Sequence, residues 1–146
     1  EEMFKATQKC LPTDIAIFSA AVADFKVKKK NKNKIKKQGD LTINLEKNTD
    51  ILSYVSNHNS MRPKLVVGFA AETIDIDKNA IYKLSTKNCD WIIANDVSKQ
   101  DRGFESDYNE VTIHYKNSKY EKEKLFRKKK SEISEQIVDR IVAQVN

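Results

Sequence analysis

Residues 65–94 read LVVGFAAETIDIDKNAIYKLSTKNCDWIIA and predict a strand–helix–strand unit. The runs at 65–71 and 91–94 are short and almost wholly apolar, which is typical of parallel strands buried on both faces. Between them, apolar side chains recur at four-residue spacing and predict a helix capped by Asp75 or Asp77. The spaced residues are Ile76, Ala80 and Leu84.

The flanking sequence extends this unit in both directions. Before it we predict a helix over 2–9, a buried strand over 14–23, an exposed loop over 26–38, an edge or half-buried strand over 41–45 and a helix over 50–57. After it we predict a hairpin of strands 111–115 and 120–125 around a turn at 116–119, then a helix after Ser131 with an apolar stripe of Ile133, Ile137, Ile141 and Val145 flanked by Val138 and Val142. Together these elements predict a single domain, residues 1–146, with an α/β fold. We expect a Rossmann-like, mostly parallel sheet in three layers, with an antiparallel hairpin.

The composition limits the class of protein. Apolar residues make up 39% and charged residues 33% of the chain, which suits a well-solvated domain with a core. No apolar run approaches the roughly 20 residues that cross a bilayer, and we expect a cytoplasmic protein without a membrane partner. Cys10 and Cys89 lie far apart in sequence, and His58 and His114 stand alone, so neither a metal site nor a histidine-based triad is indicated.

Eight lysines lie within residues 26–37, directly after an apolar run. The formal net charge of the chain is +6, and because this segment contributes +8 the remainder sums to −2. The segment predicts either an anion site at the edge of a sheet or a solvated arm that attracts nucleic acid. A buried Ile35 is expected to pin the segment and to aim Lys34 or Lys36 at a ligand.

Several polar residues follow the predicted strands, and in open α/β sheets ligands bind beyond the carboxyl ends of the strands. Asp24 is placed to accept hydrogen bonds from a ribose or a base edge, or else it caps the next turn. Phe69 either stacks on a base or belongs to the core. Lys83 and Lys87 share one helix face, where they either meet a phosphate or are solvated. The three glycines are not neighbours, so the glycine-rich phosphate-loop patterns are absent.

Six segments form a longer pattern: AAVADF at 20–25, KIKK at 34–37, NTDI at 48–51, VGFAAET at 67–73, KLSTK at 83–87 and DWIIANDVS at 90–98. Gly103-Phe104 and Asn109 continue it. In order and spacing, over nearly the whole chain, these segments resemble the phosphopantothenoylcysteine synthetase (phosphopantothenate–cysteine ligase) family.

The resemblance implies a ligase of coenzyme A biosynthesis. Bacterial members use CTP with Mg²⁺ to convert the carboxylate of 4′-phosphopantothenate into an acyl-cytidylate, with release of pyrophosphate. The amine of L-cysteine then attacks, giving 4′-phosphopantothenoylcysteine and CMP. FMN belongs only to the decarboxylase to which bacterial synthetases are commonly fused. The resemblance also implies a homodimer without a nucleic-acid partner, in which residues 26–45 form a lysine-rich flap and dimer arm.

The resemblance also assigns roles to single positions of this sequence. It implies that Lys34 is the essential nucleotide-contacting lysine, and that Ala20 and Ala21 help to turn over the acyl-cytidylate. These three are the catalytic candidates. The nucleotide-binding candidates are Phe18, Ser19, Ala20, Asp24, Lys34, Lys47, Asn48, Thr49, Asp50, Phe69, Lys83 and Lys87. No metal ligand is implied. Thr49 departs from the family, which commonly has proline there, and this changes loop stiffness more than chemistry.

The family begins with a Gly-Gly-Thr strand end and an asparagine-containing phosphate loop, and these 146 residues contain neither. We therefore expect a partial synthetase domain without its first βα units, able to fold but not to turn over alone.

Two alternatives stay open. A lysine-rich nucleic-acid-binding module would bind in a manner that weakens steeply with salt, and an inert dimerisation domain would respond to no nucleotide.

Overall fold

The computed structural model describes residues 1–31, 33–36, 39–98, 106–116 and 122–146. The helices are α1 (Glu2–Lys9), α2 (Ile51–Ser56), α3 (Ile76–Lys87) and α4 (Lys130–Val145). The strands are β1 (Ile15–Phe18), β2 (Phe25–Val27), β3 (Leu45–Lys47), β4 (Leu65–Glu72), β5 (Trp91–Asp96), β6 (Tyr108–Tyr115) and β7 (Lys122–Lys129). Lys32, Lys37, Gly103-Phe104 and most of the predicted turn at 116–119 lie outside the described residues.

Five strands form one sheet in the order β1-β4-β5-β6-β7. β1, β4 and β5 run parallel, and β6 and β7 continue the sheet as an antiparallel hairpin. β2 and β3 form a separate two-stranded ribbon. The predicted α/β fold with a parallel sheet and an antiparallel hairpin is therefore confirmed, and the predicted strand–helix–strand unit is β4, α3 and β5.

The two faces of the sheet carry separate cores. Val67 and Ile93 pack on the side of α4, whereas Val66 and Ile92 pack on the side of α2 and α3. All four side chains are at most 1% exposed. Because burial of each such side chain contributes about 1.5–3 kcal/mol, both faces of β4 and β5 need a helical cover. The continuous apolar runs thus produce three layers, with the sheet in the middle.

Gly68 allows α2 to lie close to the sheet. A Cβ at this position would lie 2.7 Å from Leu52 Cδ2 and 2.9 Å from Ile92 Cδ1. Gly68 lies in the middle of β4 and pairs with Phe18, the last residue of β1, so this close approach occurs beside the carboxyl end of β1. The absence of a side chain therefore sets the distance between α2 and the strand ends.

The region around β1 differs from the sequence prediction. The strand expected over 14–23 is confined to Ile15–Phe18, and Ile17 is 48% exposed instead of buried. Among the described residues β1 pairs with β4 alone, which leaves its other edge open. An apolar run is thus a poor measure of strand length where one neighbour is missing.

The lysine-rich segment is framed by the β2–β3 ribbon. Phe25–Val27 pairs with Leu45–Lys47 in antiparallel register, so the loop predicted over 26–38 begins inside a strand. The strand predicted over 41–45 is displaced to β3 because pairing with β2, and not alternation of side chains, fixes its position. Leu41 and Ile43 are exposed, and their alternation does not mark a core face.

Two predictions on the helices also need correction. Ile133, Ile137 and Ile141 are buried as predicted, but Val145 is exposed because it lies in the last turn of α4. Asp75 precedes α3 yet makes no side-chain cap hydrogen bond, because its backbone adopts a left-handed conformation with φ of 47°. Short polar residues tolerate this conformation, so Asp75 forms the turn before α3 but its side chain does not cap the helix.

His114 is a buried histidine on β6. Its side chain is 2% exposed, and its Nε2 lies 3.3 Å from Asp77 Oδ1. Lys122 Nζ lies 2.6 Å from the other carboxylate oxygen of Asp77. Burial lowers the pKa of His114 below its usual value; Asp77 opposes this shift and Lys122 adds to it. The fold therefore favours the neutral imidazole.

This burial makes stability depend on pH. Because the unfolded chain binds a proton at His114 at a higher pH than the folded chain, the stability from neutral His114 is complete well above about pH 6.5 and is lost as the pH falls below it. We expect the urea concentration at the unfolding midpoint to be lower at about pH 5.5 than at about pH 7.5. This decrease should be smaller in His114→Gln. An equal pH dependence in His114→Gln would contradict this account.

Candidate functional site

The carboxyl ends of β1 and β4 meet at one edge of the sheet. Phe18, the last residue of β1, is the register partner of Gly68, and β4 continues four residues further to Glu72. Phe18 is half-buried against the core on the α2 and α3 side, and Ser19, Ala20 and Ala21 follow it as exposed residues. Phe69 is 37% exposed at the same edge. The structure thus brings together the candidate residues of the first two strand ends.

The segment around Asn48 is tied to the segment that follows β1. Asn48 donates its backbone N–H to the carbonyl of Asp24 at 2.8 Å and its side-chain Nδ2 to the carbonyl of Ala23 at 2.7 Å. Lys47 is the register partner of Phe25 in the ribbon. Two stretches of candidates that are about 25 residues apart in sequence therefore form one unit, from which the Asp24 and Thr49 side chains are exposed.

Asp50 joins this unit to helices α2 and α3. One oxygen of its carboxylate accepts a hydrogen bond from the Ser53 N–H at 2.9 Å and caps α2. The other oxygen forms an ion pair with Lys87 Nζ on α3. Both carboxylate oxygens are thus engaged by partners within the chain.

Lys83 and Lys87 approach the edge from α3. Side chains on a helix tilt toward its N-terminus, and the N-terminus of α3 follows the carboxyl end of β4. Lys83 Nζ lies 2.6 Å from Glu72 Oε1 at the end of β4. Its side chain is 38% exposed and that of Lys87 is 34% exposed, so both can still be reached from solvent.

Lys34 is not brought to the other candidates by any described contact. Its side chain is exposed, and within the described residues no hydrogen bond or ion pair joins it to the strand ends. Ile35 is 49% exposed, so the prediction that a buried Ile35 pins the segment is wrong. The physical reason is that no helix or sheet of the described chain covers the segment between the two strands of the ribbon.

The described part of the edge is open. A cleft of about 70 Å³ lies between the start of α1 and the segment around Asn48. This is smaller than the 300–1,000 Å³ that is common for small-molecule pockets. The residues that line it include Phe4, Val22, Ala23, Lys26 and Asn48. The described part of this edge therefore offers an exposed surface instead of an enclosed pocket.

Sequence reasoning missed Glu72 and Asn79. Glu72 Oε2 accepts a hydrogen bond from Asn79 Nδ2 at 3.1 Å while its other oxygen meets Lys83. The available signal was an acidic residue at a strand end, followed by a helix with lysines on one face. In the described ranges no group of three or more His, Cys, Asp or Glu side chains could hold a metal ion. No helix among the described residues is long and apolar enough to cross a membrane.

Comparison with known proteins gives consistent matches. The sequence model of a family described as DNA/pantothenate metabolism flavoprotein C-terminal domain matches residues 1–145. The chain is 42% identical over 132 residues to the coenzyme A biosynthesis bifunctional protein CoaBC of Bacillus subtilis, covering 90% of this chain and 32% of that protein. It is 41% identical over 144 residues to CoaBC of Haemophilus influenzae, covering 97% and 35% respectively. The chain thus spans about a third of the length of these curated relatives.

A solved structure supports the same fold. The crystal structure of the C-terminal domain of a coenzyme A biosynthesis bifunctional protein CoaBC matches with a TM-score of 0.74 at 29% identity. The match covers 99% of this chain and 61% of that chain. The α/β sheet with its terminal hairpin is therefore an arrangement that this crystal structure shares.

Proposed function

Since the chain belongs to the DNA/pantothenate metabolism flavoprotein C-terminal domain family, we propose that it is the ligase part of a coenzyme A biosynthesis protein. The proposed reaction joins 4′-phosphopantothenate to L-cysteine through an acyl-cytidylate formed from CTP. The edge formed by the carboxyl ends of β1 and β4 supports the proposal, because two separate segments supply charged groups beside it. Asp24 follows β1 and is bonded to Asn48, and Lys83 and Lys87 on α3 pair with Glu72 and Asp50. Because the chain covers only part of its relatives, we propose that it binds CTP but does not turn over alone.

Each group at this edge has a proposed role that follows from its chemistry. Asp24 offers an exposed carboxylate to ribose hydroxyls, and Phe69 offers a ring face to the base. Lys83 and Lys87 supply positive charge to the triphosphate, and Lys34 is proposed to reach the same phosphates from the flap. Fixed positive charge of this kind stabilises the negative charge that develops as pyrophosphate leaves.

Mg²⁺ is proposed to arrive with CTP as part of the substrate. The ion commonly keeps several waters and binds phosphates together with one or two carboxylates. Asp50 and Glu72 are already engaged by lysines, so these carboxylates are not free to replace the phosphates as ligands. This arrangement fits a metal held chiefly by the nucleotide.

Nucleotide binding tests the proposed function. We expect Mg-CTP to raise the melting temperature more than Mg-ATP, since a ligand at a hundred times its Kd stabilises a fold by about 2.7 kcal/mol. Asp24→Ala and Lys34→Ala should each weaken binding about tenfold or more, because each removes a charged hydrogen-bonding group. Lys64→Ala is the matched control, because Lys64 forms an exposed ion pair with Asp14 at the start of β4.

The outcomes separate the competing functions. No shift with either nucleotide, together with tight and salt-sensitive DNA binding, would contradict the ligase proposal and favour a nucleic-acid-binding module. No shift together with a stable dimer would favour an inert dimerisation domain. Equal shifts in melting temperature with Mg-CTP and Mg-ATP would support a nucleotide site but contradict the preference for CTP.

We also propose that residues 26–45 form a homodimer arm. The ribbon and its neighbouring residues carry exposed apolar side chains, and an apolar patch of this kind marks an interaction surface. The residues are Phe25, Val27, Leu41, Ile43 and Leu45. Light scattering should give twice the 16.8 kDa mass of one chain. The double variant Leu41→Ser and Ile43→Ser should be a monomer, whereas Val138→Ser on α4 should remain a dimer. A monomeric wild type would contradict the proposal.

A further inference from the structure

Glu72 is a largely buried carboxylate at the candidate site for which neither the sequence pattern nor the resemblance supplies a role. Its side chain, at the end of β4, is 13% exposed. Oε1 lies 2.6 Å from Lys83 Nζ, and Oε2 accepts a hydrogen bond from Asn79 Nδ2 at 3.1 Å. The Glu72 carbonyl accepts a hydrogen bond from the Val97 N–H at 3.0 Å. Both the backbone and the side chain of this residue are therefore held in place.

A buried carboxylate is costly unless it is paired, and here Lys83 and Asn79 each face one oxygen of Glu72. Lys83 Nζ lies at ion-pair distance from Oε1 of this carboxylate. The carboxylate thus holds the ammonium group through an ion pair. An ammonium group has three donors, so contact with Glu72 leaves donors for a second acceptor.

We propose that Glu72 is a positioning residue that holds the Lys83 ammonium at the strand edge for a phosphate of the nucleotide. The inference rests on the proposed function, because it assumes that a nucleotide binds at this edge. Lys83 has a flexible four-carbon side chain, and a fixed partner reduces the rotamer freedom that it would lose on binding. Asn79 on α3 holds the side chain of Glu72 and Val97 after β5 holds its backbone, so Glu72 is a fixed point and not a mobile counter-ion.

Lys87 differs from Lys83 in its partner. Lys87 pairs with Asp50, whose side chain is 39% exposed and which also caps α2. An arriving anion can displace an exposed partner more easily than a buried one, because water and the Ser53 N–H remain available to Asp50. Lys83 is therefore the lysine with a fixed position, and Lys87 is the lysine that can adjust.

The test measures Kd for Mg-CTP and for cytidine, which has no phosphate. We expect Glu72→Gln and Lys83→Met each to weaken Mg-CTP binding about tenfold, which is the effect of one charged contact, and to leave cytidine binding unchanged. The double variant should bind no more weakly than Lys83→Met alone, because Glu72 acts only through Lys83. Thermal unfolding of each variant shows that it is folded.

A second measurement does not depend on the nucleotide. Acetylation of lysines by an amine reagent, followed by mass spectrometry, should modify Lys83 several-fold faster in Glu72→Gln than in wild type. Lys78, an exposed lysine on the same helix, is the reference and should not change. An unchanged Lys83 rate overturns the inference.

The two levels of failure are distinguishable. A wild-type chain that binds no CTP overturns the proposed function, and with it the role of Glu72. A wild-type chain that binds CTP, with equal or tighter binding in Glu72→Gln, overturns the positioning role alone and shows that Glu72 merely screens the charge of Lys83. Weaker cytidine binding in Glu72→Gln overturns it as well, since it would show a general loss of structure.

Discussion

Arg62→Ala is expected to lower the free energy of unfolding by about 2–3 kcal/mol, because it breaks a charged network and leaves an acid without its partner. Arg62 donates from Nε to the Ser56 carbonyl at 2.8 Å and from Nη2 to both oxygens of Asp90 at 3.0 Å. It also donates to the carbonyls of Pro63 and Asn88. One side chain therefore joins the end of α2, the start of β4 and the turn before β5.

Urea unfolding of three variants measures this effect. Lys64→Ala should change stability by less than about 0.5 kcal/mol, because its ion pair with Asp14 is exposed. Arg62→Lys keeps the charge but loses the planar fork, so it should recover only part of the loss. For a domain of this size the expected loss corresponds to a fall in melting temperature of roughly 5–10 °C. An Arg62→Ala variant as stable as Lys64→Ala would show that the network contributes nothing measurable.

This network shows where sequence reasoning stops. Asp90 also accepts a hydrogen bond from the Val66 N–H at 2.7 Å, so its carboxylate holds the start of β4 as well as Arg62. Arg62 and Asp90 are 28 residues apart, and nothing in their local sequence indicates that they meet. Such pairs depend on the order of strands in the sheet, which places the starts of β4 and β5 side by side.

The elements that the sequence predicts well are those that bury a continuous or periodic apolar surface. The apolar runs at 65–71 and 91–94 become β4 and β5, and the helix predicted over 50–57 is α2 at Ile51–Ser56. The ribbon was predicted poorly because its strands are three residues each and expose their apolar side chains. Pairing between distant segments, and not local pattern, decides where these strands begin and end.

The candidate site divides in the same way. Residues at strand ends could be placed near one another because parallel strands end at one edge, and the structure brings Asp24, Asn48 and Phe69 to that edge. The partners of the two lysines could not be read from the sequence, since an ion pair between a helix and a strand end depends on side-chain reach. Residues 33–36, the described stretch around Lys34, have no contact with either core, so no buried apolar pattern could place Lys34 against the site.

Ile137→Ala is expected to lower the free energy of unfolding by about 3 kcal/mol, within the usual range of 2–5 kcal/mol for removing a buried isoleucine side chain. Ile137 is 6% exposed in the middle of α4 and packs in the core that contains Trp91 and Leu125. The substitution leaves a cavity under the helix that covers one whole face of the sheet. Alanine is the better helix former, but this offsets only about 0.4 kcal/mol of the loss.

Val138 is the matched control, one residue further along the same helix and 51% exposed. Val138→Ala removes little buried area and gains helix propensity, so its stability should stay within about 0.5 kcal/mol of wild type. Chemical unfolding of both variants under one condition separates burial from any general effect of mutating α4. Equal losses at the two positions would mean that α4 does not cover the sheet through its isoleucine stripe. Because Ile133, Ile137 and Ile141 are the only residues of α4 in this core, that result would also contradict the three-layer arrangement.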